Sequence, residues 1–388
     1  MEKKKICVIS ATRAEYGILK PLILKLKKCT EWETQVILTG AHLLEKLGNT
    51  YQEAERDGIE VFAKIPIYVE GNTNYDITRT MANGLVEFGR YFQEEKPDLL
   101  IVLGDRTEIL AFCAAAMNEQ IPIAHIHGGE LTQGAIDDNI RHAVTKMSYL
   151  HFASTEEYRK RIIQMGEEPE RVFNVGALGV ENILKEKLLS RKELEESVGF
   201  PAEKDYAVVT FHPVTLERGT ADRQVRELLS AMELRKDIFY LITKANADAG
   251  GDSINEFMEQ EVRKHSNMKL VASLGMKRYL SAVKYARFVL GNSSSGIIEV
   301  PSLGVPTVNI GDRQKGRIMA KSILPCEPER MSILNAITQA MDMEIGTYES
   351  PYGNGDTSEQ IVRIVQKFLG SGQIDLKKKF YDITWSGL

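Results

Sequence analysis

The chain has 388 residues, which is more than one hydrophobic core usually supports, so two domains are expected. Its hydrophobic content of 43% and charged content of 27% are ordinary for a soluble globular protein. The net charge of −5 argues against a nucleic-acid partner, because such binders carry a basic excess, and no apolar run approaches the roughly 20 residues that cross a membrane.

In chain order, short apolar runs alternate with helical patterns almost throughout. A first series of strands is predicted at 5–10, 34–40, 98–105, 122–129, 150–155 and 171–178. A second series is predicted at 206–213, 239–246, 268–274, 286–294 and 306–311. Continuous apolar strands with helices between them are typical of parallel sheets covered on both faces. The sequence therefore predicts an α/β fold of two Rossmann-like, doubly wound domains.

The border between the domains is expected in the charged, helix-like stretch 180–204, which contains the breaking residues Gly199 and Pro201. We assign residues 1–185 to the N-terminal domain and residues 186–365 to the C-terminal domain. Residues 366–388 are expected to form a helical tail that packs back on the N-terminal domain.

The cysteines and the N-terminus bear on the compartment. The four cysteines are far apart and form no CxxC pair, which is typical of a reducing compartment and predicts no structural zinc. The apolar run near the N-terminus is too short for a signal peptide. We therefore expect a cytoplasmic protein.

Ligands of open parallel sheets bind beyond the carboxyl ends of the strands. In this chain those ends are polar, at residues 10–13, 104–106, 127–130, 212–213 and 291–296. Polar groups that converge on one edge of each sheet predict a ligand site in a cleft across which the two domains face each other.

The first strand end reads SATRAEYG and lacks the GxGxxG pattern of dinucleotide-binding turns, so a nicotinamide cofactor is disfavoured. Arg13 lies just beyond the strand, where its planar guanidinium is placed to reach a phosphate. The alternative is that Arg13 pairs with Glu15 at the start of the next helix.

The segment LGDR places Asp105 and Arg106 at the end of a strand that should be buried. Asp105 is either the N-cap of the following helix or a carboxylate of the site, and the two roles are compatible. Arg106 is a candidate substrate contact.

The segment 125–142, HIHGGELTQGAIDDNIRH, is dense in titratable side chains. His125 and His127 alternate with apolar residues, so they are expected to share one face of a strand. Neighbouring carboxylates allow one site to hold both an acid and a base, because their pKa values split. The candidate acids in this segment are Glu130, Asp137 and Asp138.

Two simpler interpretations of this segment stay open. On a helix, Asp138 lies three and four residues before Arg141 and His142, so these side chains could pair without any role in a site. Histidines and carboxylates also ligate zinc or manganese, but the chain has no HExxH or DxD motif, and we expect no metal.

His212 is expected at the end of the first strand of the second domain, facing the ligand. The alternative for a lone histidine is a structural hydrogen bond. After the last predicted strand, GDRQKGR supplies Arg313, Lys315 and Arg317, which form either a phosphate clamp or a solvated loop.

The segment GNSSSGIIE is the most informative part of the chain. A helix is predicted to start near Ser294, and N–H and hydroxyl groups at a helix N-terminus bind anions such as a diphosphate. Gly296 lets the backbone approach closely, and Glu299 could accept hydrogen bonds from a ribose diol. The alternative is an ordinary serine N-cap with a glycine for packing. The residues assigned to this anion site are Ser293, Ser294, Ser295, Gly296 and Glu299.

Nine motifs are spread over most of the stretch from residue 6 to 320, in this order: TRAEYG, LGDR, HIHGGE, GAIDDNIRHAVTKMS, STEEYRKR, FNVGALGVEN, HPVT, GNSSSGIIE and NIGDRQKGR. The ordered set closely resembles the hydrolysing UDP-N-acetylglucosamine 2-epimerases of sialic-acid biosynthesis. The non-hydrolysing relatives resemble TRPE at the first motif and HRREN at the second-domain histidine, and this chain departs from that pattern.

The resemblance implies a GT-B-like fold whose second domain holds UDP, a homodimer or homotetramer, and no cofactor. It implies conversion of UDP-N-acetylglucosamine to N-acetylmannosamine and UDP. The nucleotide contacts that it implies are Arg13, His212, Ser293, Ser294, Glu299 and Arg313. The catalytic acids that it implies are Asp105, Glu130, Asp137 and Asp138. To these we add His212 as a catalytic candidate and, for UDP binding, Arg106, Ser295, Gly296 and Arg317.

Other functions stay open. A hydrolysing 2-epimerase acting on UDP-2,4-diacetamido-2,4,6-trideoxyglucose, on the way to legionaminic acid, would use the same catalytic parts. Contacts to C4 and C6 of the sugar would decide between the two substrates. A non-hydrolysing 2-epimerase, a GT-B glycosyltransferase and a catalytically silent nucleotide-sugar sensor are less in keeping with the motifs.

Overall fold

The computed structural model describes residues 3–71, 73–132, 136–212, 220–245, 251–346, 348–353, 355–372 and 374–384. The chain forms two compact units. Unit 1 consists of Met1–Glu130, Asp137–Asn182 and Tyr352–Leu388, and unit 2 consists of Leu131–Ile136 and Ile183–Pro351. In these described ranges, no helix is long and apolar enough to cross a membrane.

Unit 1 contains a parallel sheet of seven strands. The strands are β1 (Lys4–Ser10), β2 (Trp32–Thr39), β3 (Ala63–Ile65), β4 (Leu99–Leu103), β5 (Ile123–Ile126), β6 (Leu150–Ala153) and β7 (Val172–Asn174). Their order is β3-β2-β1-β4-β5-β6-β7, so the strand order reverses between β1 and β4. The helices of the first two parts of unit 1 are α1 (Arg13–Lys28), α2 (Tyr51–Arg56), α3 (Asn74–Glu95), α4 (Thr107–Asn118), α5 (Asp137–Met147), α6 (Glu156–Gln164) and the start of α7 (Leu178–Lys185). The assignment changes from unit 1 to unit 2 within α7, between Asn182 and Ile183.

Unit 2 contains a parallel sheet of six strands in the order β10-β9-β8-β11-β12-β13. The strands are β8 (Tyr206–Thr210), β9 (Phe239–Thr243), β10 (Met268–Val271), β11 (Phe288–Gly291), β12 (Thr307–Ile310) and β13 (Ile323–Cys326). The helices are α8 (Arg191–Val198), α9 (Ala221–Glu233), α10 (Gly251–Val262), α11 (Gly275–Tyr285), α12 (Ser294–Ile298) and α13 (Arg330–Asp342). Counted from its own first strand, the sheet of unit 2 has the 3-2-1-4-5-6 order of Rossmann folds, and the sheet of unit 1 has the same order with a seventh strand added.

Alternating residues of the central strands lie in different hydrophobic clusters. In β1, Ile6 and Val8 belong to one buried cluster, whereas Cys7 and Ile9 belong to another. The residues of β8 are divided between two clusters in the same way. Because successive side chains of a strand point to opposite faces, each sheet is covered on both faces. The predicted α/β fold of two Rossmann-like, doubly wound domains is confirmed.

Helix α14 (Thr357–Gly370) belongs to unit 1, although it follows unit 2 in the chain. The backbone N–H and the hydroxyl of Ser358 both donate to the buried carboxylate of Glu181, at 2.6 Å each. Ile361 and Val365 are fully buried in a cluster that also contains side chains of β1. The structure therefore returns to unit 1 at residue 352, whereas the sequence assignment extended the second domain to residue 365.

Candidate functional site

In unit 1, β4 and β5 lie side by side, and the loops after them carry two of the predicted catalytic acids. Asp105 follows β4, and Glu130 follows β5 after two glycines. Gly129 has a φ of +75°, and a Cβ atom there would lie 2.5 Å from the carbonyl oxygen of Tyr158. Glycine is therefore required in this turn, which directs Glu130 back toward the ends of the strands.

Arg141 brings the acidic segments together. It lies in α5 and is 2% exposed. Its guanidinium donates to the carboxylate of Asp105, to Oδ1 of Asp138 at 3.2 Å and to the backbone carbonyl of Glu130 at 2.9 Å. A planar guanidinium presents its N–H donors in a fixed geometry, so one side chain orients three acceptors. The simple pairing of Asp138 with Arg141 is present, but it is part of a larger cluster.

The Glu130 carboxylate has partners of its own. It is 2% exposed, and its Oε1 accepts a hydrogen bond from the hydroxyl of Ser154, just after β6, at 2.8 Å. The Nδ1 atom of His127 lies 3.9 Å from the same oxygen. Because burying a polar group is unfavourable unless it is hydrogen-bonded, the hydrogen bond from Ser154 stabilises this orientation of the Glu130 side chain.

His125 links the end of β4 to α5. Its Nε2 lies 2.8 Å from the carbonyl oxygen of Gly104, and its Nδ1 lies 3.2 Å from the hydroxyl of Thr145. Burial lowers the pKa of His125 to about 3, so its ring is neutral near pH 7. The expectation that His125 and His127 share a strand face was wrong, because β5 ends at Ile126 and His127 has a left-handed φ of +65°.

The N-cap of α4 is Arg106 rather than Asp105. Helix α4 begins at Thr107, and the Arg106 side chain donates to Glu108 at 3.3 Å. The carboxylate of Asp105 is bound by Arg141 instead. The alternative in which Asp105 caps the helix was therefore wrong.

Two of the predicted acids, Asp137 and Asp138, begin α5, where negative charge is favoured by the helix dipole. The Nε2 atom of His142 lies 3.5 Å from Asp138, and burial lowers the pKa of His142. The structure thus places Asp105 and Asp138 on one guanidinium and Glu130 beside them, and Asp137 adjoins the cluster as the first residue of α5.

At the end of β1, Thr12 and Glu15 form a capping box at the start of α1. The Glu15 carboxylate accepts the N–H groups of Ala11 at 2.7 Å and Thr12 at 2.9 Å, and burial raises its pKa to about 7. Arg13 does not pair with Glu15. Its half-exposed guanidinium pairs with Glu53 at 2.8 Å, and its predicted contact with a phosphate stays a prediction.

In unit 2, Asn292 joins the carboxyl ends of β8 and β11. Its Oδ1 accepts the backbone N–H of His212 at 2.7 Å, and its Nδ2 donates to the His212 carbonyl at 2.8 Å. A carboxamide has the donors and acceptors of a peptide group, so this side chain continues the pairing beyond the strands. The backbone before it comes very close to β8, since a Cβ atom on Gly291 would overlap the carbonyl group of Thr210.

The backbone carbonyl of Asn292 connects this point to the loop after β12. It accepts hydrogen bonds from Arg313 at 3.0 Å and from the buried Gln314 at 2.9 Å. Burial, together with the positive charge of Arg313, lowers the pKa of His212 to about 3, so the His212 ring is neutral near pH 7. The proline turn expected after His212 lies outside the described residues.

The serine segment after β11 forms a helix of only five residues, α12. Ser293 is its N-cap, but its side chain makes no capping hydrogen bond. Ser295 donates to Glu299, and burial raises the pKa of the Glu299 carboxyl. A Cβ atom on Gly296 would lie 2.9 Å from Cγ2 of Thr307, so glycine lets α12 pack on β12. Of the simpler interpretation of this segment, the packing role of Gly296 is observed, but the N-cap hydrogen bond from a serine side chain is not.

The cations of GDRQKGR do not form one group. Arg313 contacts Asn292, whereas Lys315 is exposed and pairs with Asp312 at 2.9 Å. Arg317 is partly buried. The solvated-loop interpretation therefore holds for Lys315, and Arg313 belongs to the candidate site.

Sequence reasoning left four buried polar residues out of the site: Arg141, Ser154, Asn292 and Gln314. All four are at most 2% exposed. The available signal for Ser154 and Asn292 was their position at predicted strand ends, whereas nothing in the local sequence showed that Arg141 and Gln314 are buried. Within the part of the chain that the structure describes, no group of three or more metal-ligating side chains could hold an ion.

Comparison with known proteins bears directly on these strand-end motifs. The family model described as UDP-N-acetylglucosamine 2-epimerase matches residues 24–366. This chain belongs to that family. The resemblance inferred from the order of the motifs is confirmed.

Two relatives of this family member align over most of its length. The GDP/UDP-N,N'-diacetylbacillosamine 2-epimerase (hydrolyzing) of Campylobacter jejuni is 40% identical over 343 residues, which are 88% of each chain. The polysialic acid biosynthesis protein P7 of Escherichia coli is 39% identical over 385 residues, which are 98% of each chain.

The fold of this epimerase-family chain is also found in solved structures. The crystal structure of UDP-GlcNAc 2-epimerase from Neisseria meningitidis bound to UDP-GlcNAc has a TM-score of 0.79 and 20% identity, and the match covers 94% of this chain and 100% of that one. At this identity the likeness establishes the fold alone, and the predicted GT-B-like architecture is confirmed.

Proposed function

We propose that this chain is a hydrolysing 2-epimerase that converts UDP-N-acetylglucosamine to N-acetylmannosamine and UDP. The observation that carries the proposal is the buried Arg141, whose guanidinium collects Asp105, Asp138 and the Glu130 backbone at the ends of β4 and β5. Membership of the family and the 40% identity to a relative described as hydrolyzing support it.

The proposed chemistry explains why several carboxylates are needed. No adjacent carbonyl acidifies the C2 hydrogen of the sugar. Cleavage of the C1–O bond releases UDP and gives C1 oxocarbenium character, and loss of the C2 proton to a base then yields 2-acetamidoglucal. Water then adds to C1 and gives one proton to a base, while an acid delivers a proton to C2 on the face opposite to the one from which the first proton was removed. These steps require one group that accepts a proton and one that supplies it.

In unit 1, Asp105 is the proposed base for the C2 proton. Its side chain is 24% exposed while Arg141 orients it, so it is both positioned and accessible. Glu130 is the proposed acid or water-activating group, because its carboxylate is buried and its backbone carbonyl accepts a hydrogen bond from the same guanidinium. Asp137 and Asp138 complete the carboxylate cluster.

Unit 2 is the proposed UDP-binding part. The Arg313 guanidinium and the serine hydroxyls supply donors for a diphosphate, on which negative charge grows as the C1–O bond breaks. Because the lowered pKa leaves His212 neutral, we assign it an N–H donor role toward UDP, and its catalytic role stays a prediction. Glu299 is assigned to the ribose hydroxyls. The other proposed contacts are Arg13, Arg106, Ser293, Ser294, Ser295, Gly296 and Arg317.

Incubation with UDP-N-acetylglucosamine in D2O, followed by proton NMR, tests the proposal. The expected products are UDP and free N-acetylmannosamine that carries deuterium at C2. UDP-N-acetylmannosamine as the stable product would assign the chain to the non-hydrolysing reaction instead. Solvent deuterium distinguishes this route from one in which C2 keeps its own hydrogen.

The Campylobacter jejuni relative favours a second candidate substrate, UDP-N,N'-diacetylbacillosamine, which is UDP-2,4-diacetamido-2,4,6-trideoxyglucose. The chemistry at C1 and C2 is the same, and the two sugars differ at C4 and C6. Measuring kcat/KM for both sugars decides between them. A preference of about tenfold or more for the diacetamido sugar would make it the substrate, since pocket contacts to such groups are of that size.

We propose that the enzyme needs no cofactor and acts in the cytoplasm. A homodimer or homotetramer is the expected assembly. Sedimentation equilibrium of the full chain measures the assembly, and a monomer at micromolar concentration would contradict it.

A further inference from the structure

The segment after α14 lies against the C-terminal end of α5. The Nζ atom of Lys378 lies 2.9 Å from the carbonyl oxygen of Lys146 and 2.7 Å from that of Ser148. The last carbonyl groups of a helix have no partner within the helix. Lys378 therefore supplies both a hydrogen-bond donor and a positive charge where the helix dipole favours one.

Lys378 is itself held by Glu167, a carboxylate that is 2% exposed. One oxygen of Glu167 accepts from Lys378 at 2.7 Å and lies 3.1 Å from Nε2 of His151 in β6. The other oxygen accepts from Lys146, in the last turn of α5, at 2.6 Å. Burial alone would raise the pKa of Glu167, but these three donors lower it to about 2. The ionised carboxylate thus connects the C-terminal segment, α5 and β6.

A second contact holds the same segment through Gly166. The ring of Phe380 lies where a Cβ atom of residue 166 would be, so a larger residue would displace it. The backbone N–H of Tyr381 donates to the Gly166 carbonyl at 3.0 Å, and Nζ of Lys146 lies 5.1 Å from the centre of the Phe380 ring. The segment is therefore held at Lys378 and again at Phe380 and Tyr381.

We propose that Lys378 is a positioning residue for the carboxylate cluster at the other end of α5. This helix has 11 residues and is roughly 16 Å long, so the placement of its last turn sets the direction of its first. The first turns carry Asp138 and Arg141. The inference rests on the proposed function, since it assumes that this cluster acts on the sugar.

The test compares Lys378→Met with Lys377→Met and Lys379→Met, which remove exposed lysines from the same segment. We expect kcat of Lys378→Met to fall on the order of tenfold, because small misplacements of reacting groups are costly. KM and the affinity for UDP should stay unchanged, since UDP is assigned to unit 2. Lys378→Arg should recover most of the activity, and both controls should match the wild type. Equal kcat in Lys378→Met and the controls would overturn the inference.

Amide hydrogen exchange provides a readout that does not depend on turnover. Exchange in the last turn of α5 should be faster in Lys378→Met than in the two controls, and equal rates would count against the proposal. If the wild type turned over no UDP-sugar while this difference was present, the proposed function would fail and the capping of α5 would stand. If Lys378→Met did not fold, Lys378→Gln would replace it, because its amide keeps a hydrogen-bond donor in the segment but removes the positive charge. A wild-type kcat together with wild-type exchange in Lys378→Gln would then overturn the inference.

Discussion

At the scale of single residues, Arg141 explains how three acidic segments of unit 1 are held together. One buried guanidinium binds Asp105, Asp138 and the Glu130 carbonyl. Removing one partner from a buried ion pair costs about 3–5 kcal/mol, because the remaining charge is left uncompensated. The spacing of Asp138 and Arg141 predicted only a local pair, since it contains no information about Asp105.

The first prediction concerns the two carboxylates assigned to proton transfer. Asp105→Asn and Glu130→Gln keep the shape of the side chain but replace the carboxyl group with an amide, which can neither accept nor supply the proton in the reaction. We expect kcat to fall by about 10²- to 10⁴-fold in each, with little change in UDP affinity, as measured by UDP release and calorimetry. Asp312→Asn, at an exposed ion pair, is the control and should retain full activity. Near-wild-type turnover in both folded variants would show that the assignment is wrong.

At the scale of secondary-structure elements, the central strands were easier to predict than the sheet edges. The central strands are continuous apolar runs, so their positions were visible in the sequence, whereas the predicted strands 122–129, 206–213 and 286–294 extend past the observed ends at Ile126, Thr210 and Gly291. Of the four edge strands, β7 and β10 were predicted, whereas β3 and β13 were not. Strand β3 has three residues, and β13 contains Pro325, whose missing N–H is tolerated at an edge but weakens any strand pattern.

The second prediction concerns the contact between β8 and β11. Gly291 has a φ of +139°, and a side chain there would overlap the Thr210 carbonyl. Gly291→Ala should therefore destabilise unit 2 by about 3 kcal/mol and weaken UDP binding, measured by urea unfolding and calorimetry. Gly89→Ala, in α3 with no atom within 4 Å of the added Cβ, should instead stabilise the protein by about 0.5–1 kcal/mol. A smaller loss in Gly291→Ala than about 1 kcal/mol would contradict the close approach of the two strands.

At the scale of the whole molecule, buried titratable groups predict how stability depends on pH. Burial lowers the pKa of His42 to about 4 and of His125 and His212 to about 3, against 6.5 for an unperturbed histidine. Below pH 6.5 the unfolded chain therefore binds more protons than the folded one, and folding becomes less favourable as the pH falls. Glu15, whose pKa is raised from 4.5 to about 7, has the opposite effect. Between these two pH values the folded chain binds more protons at Glu15 than the unfolded chain, so this group makes folding more favourable as the pH falls.

The third prediction follows from the balance of these groups. Each group contributes at most about 1.4 kcal/mol per pH unit, so three histidines outweigh one glutamate between about pH 6.5 and pH 4.5. The urea midpoint should be lower at about pH 5 than at about pH 7. An equal or higher midpoint at the lower pH would show that these histidines are not buried as neutral rings.

The sequence by itself determined the two doubly wound units, the family and the strand ends at which Asp105, Glu130 and Asn292 lie. These features are readable because apolar periodicity and motif order are local properties of the chain. Only the tertiary structure decided that Arg141 joins three acidic segments and that Ser358 of α14 binds Glu181 in unit 1. Such contacts join residues that are far apart in the chain. Sheet order and packing decide which distant element lies beside a given strand, and the residues of one segment alone do not contain this information.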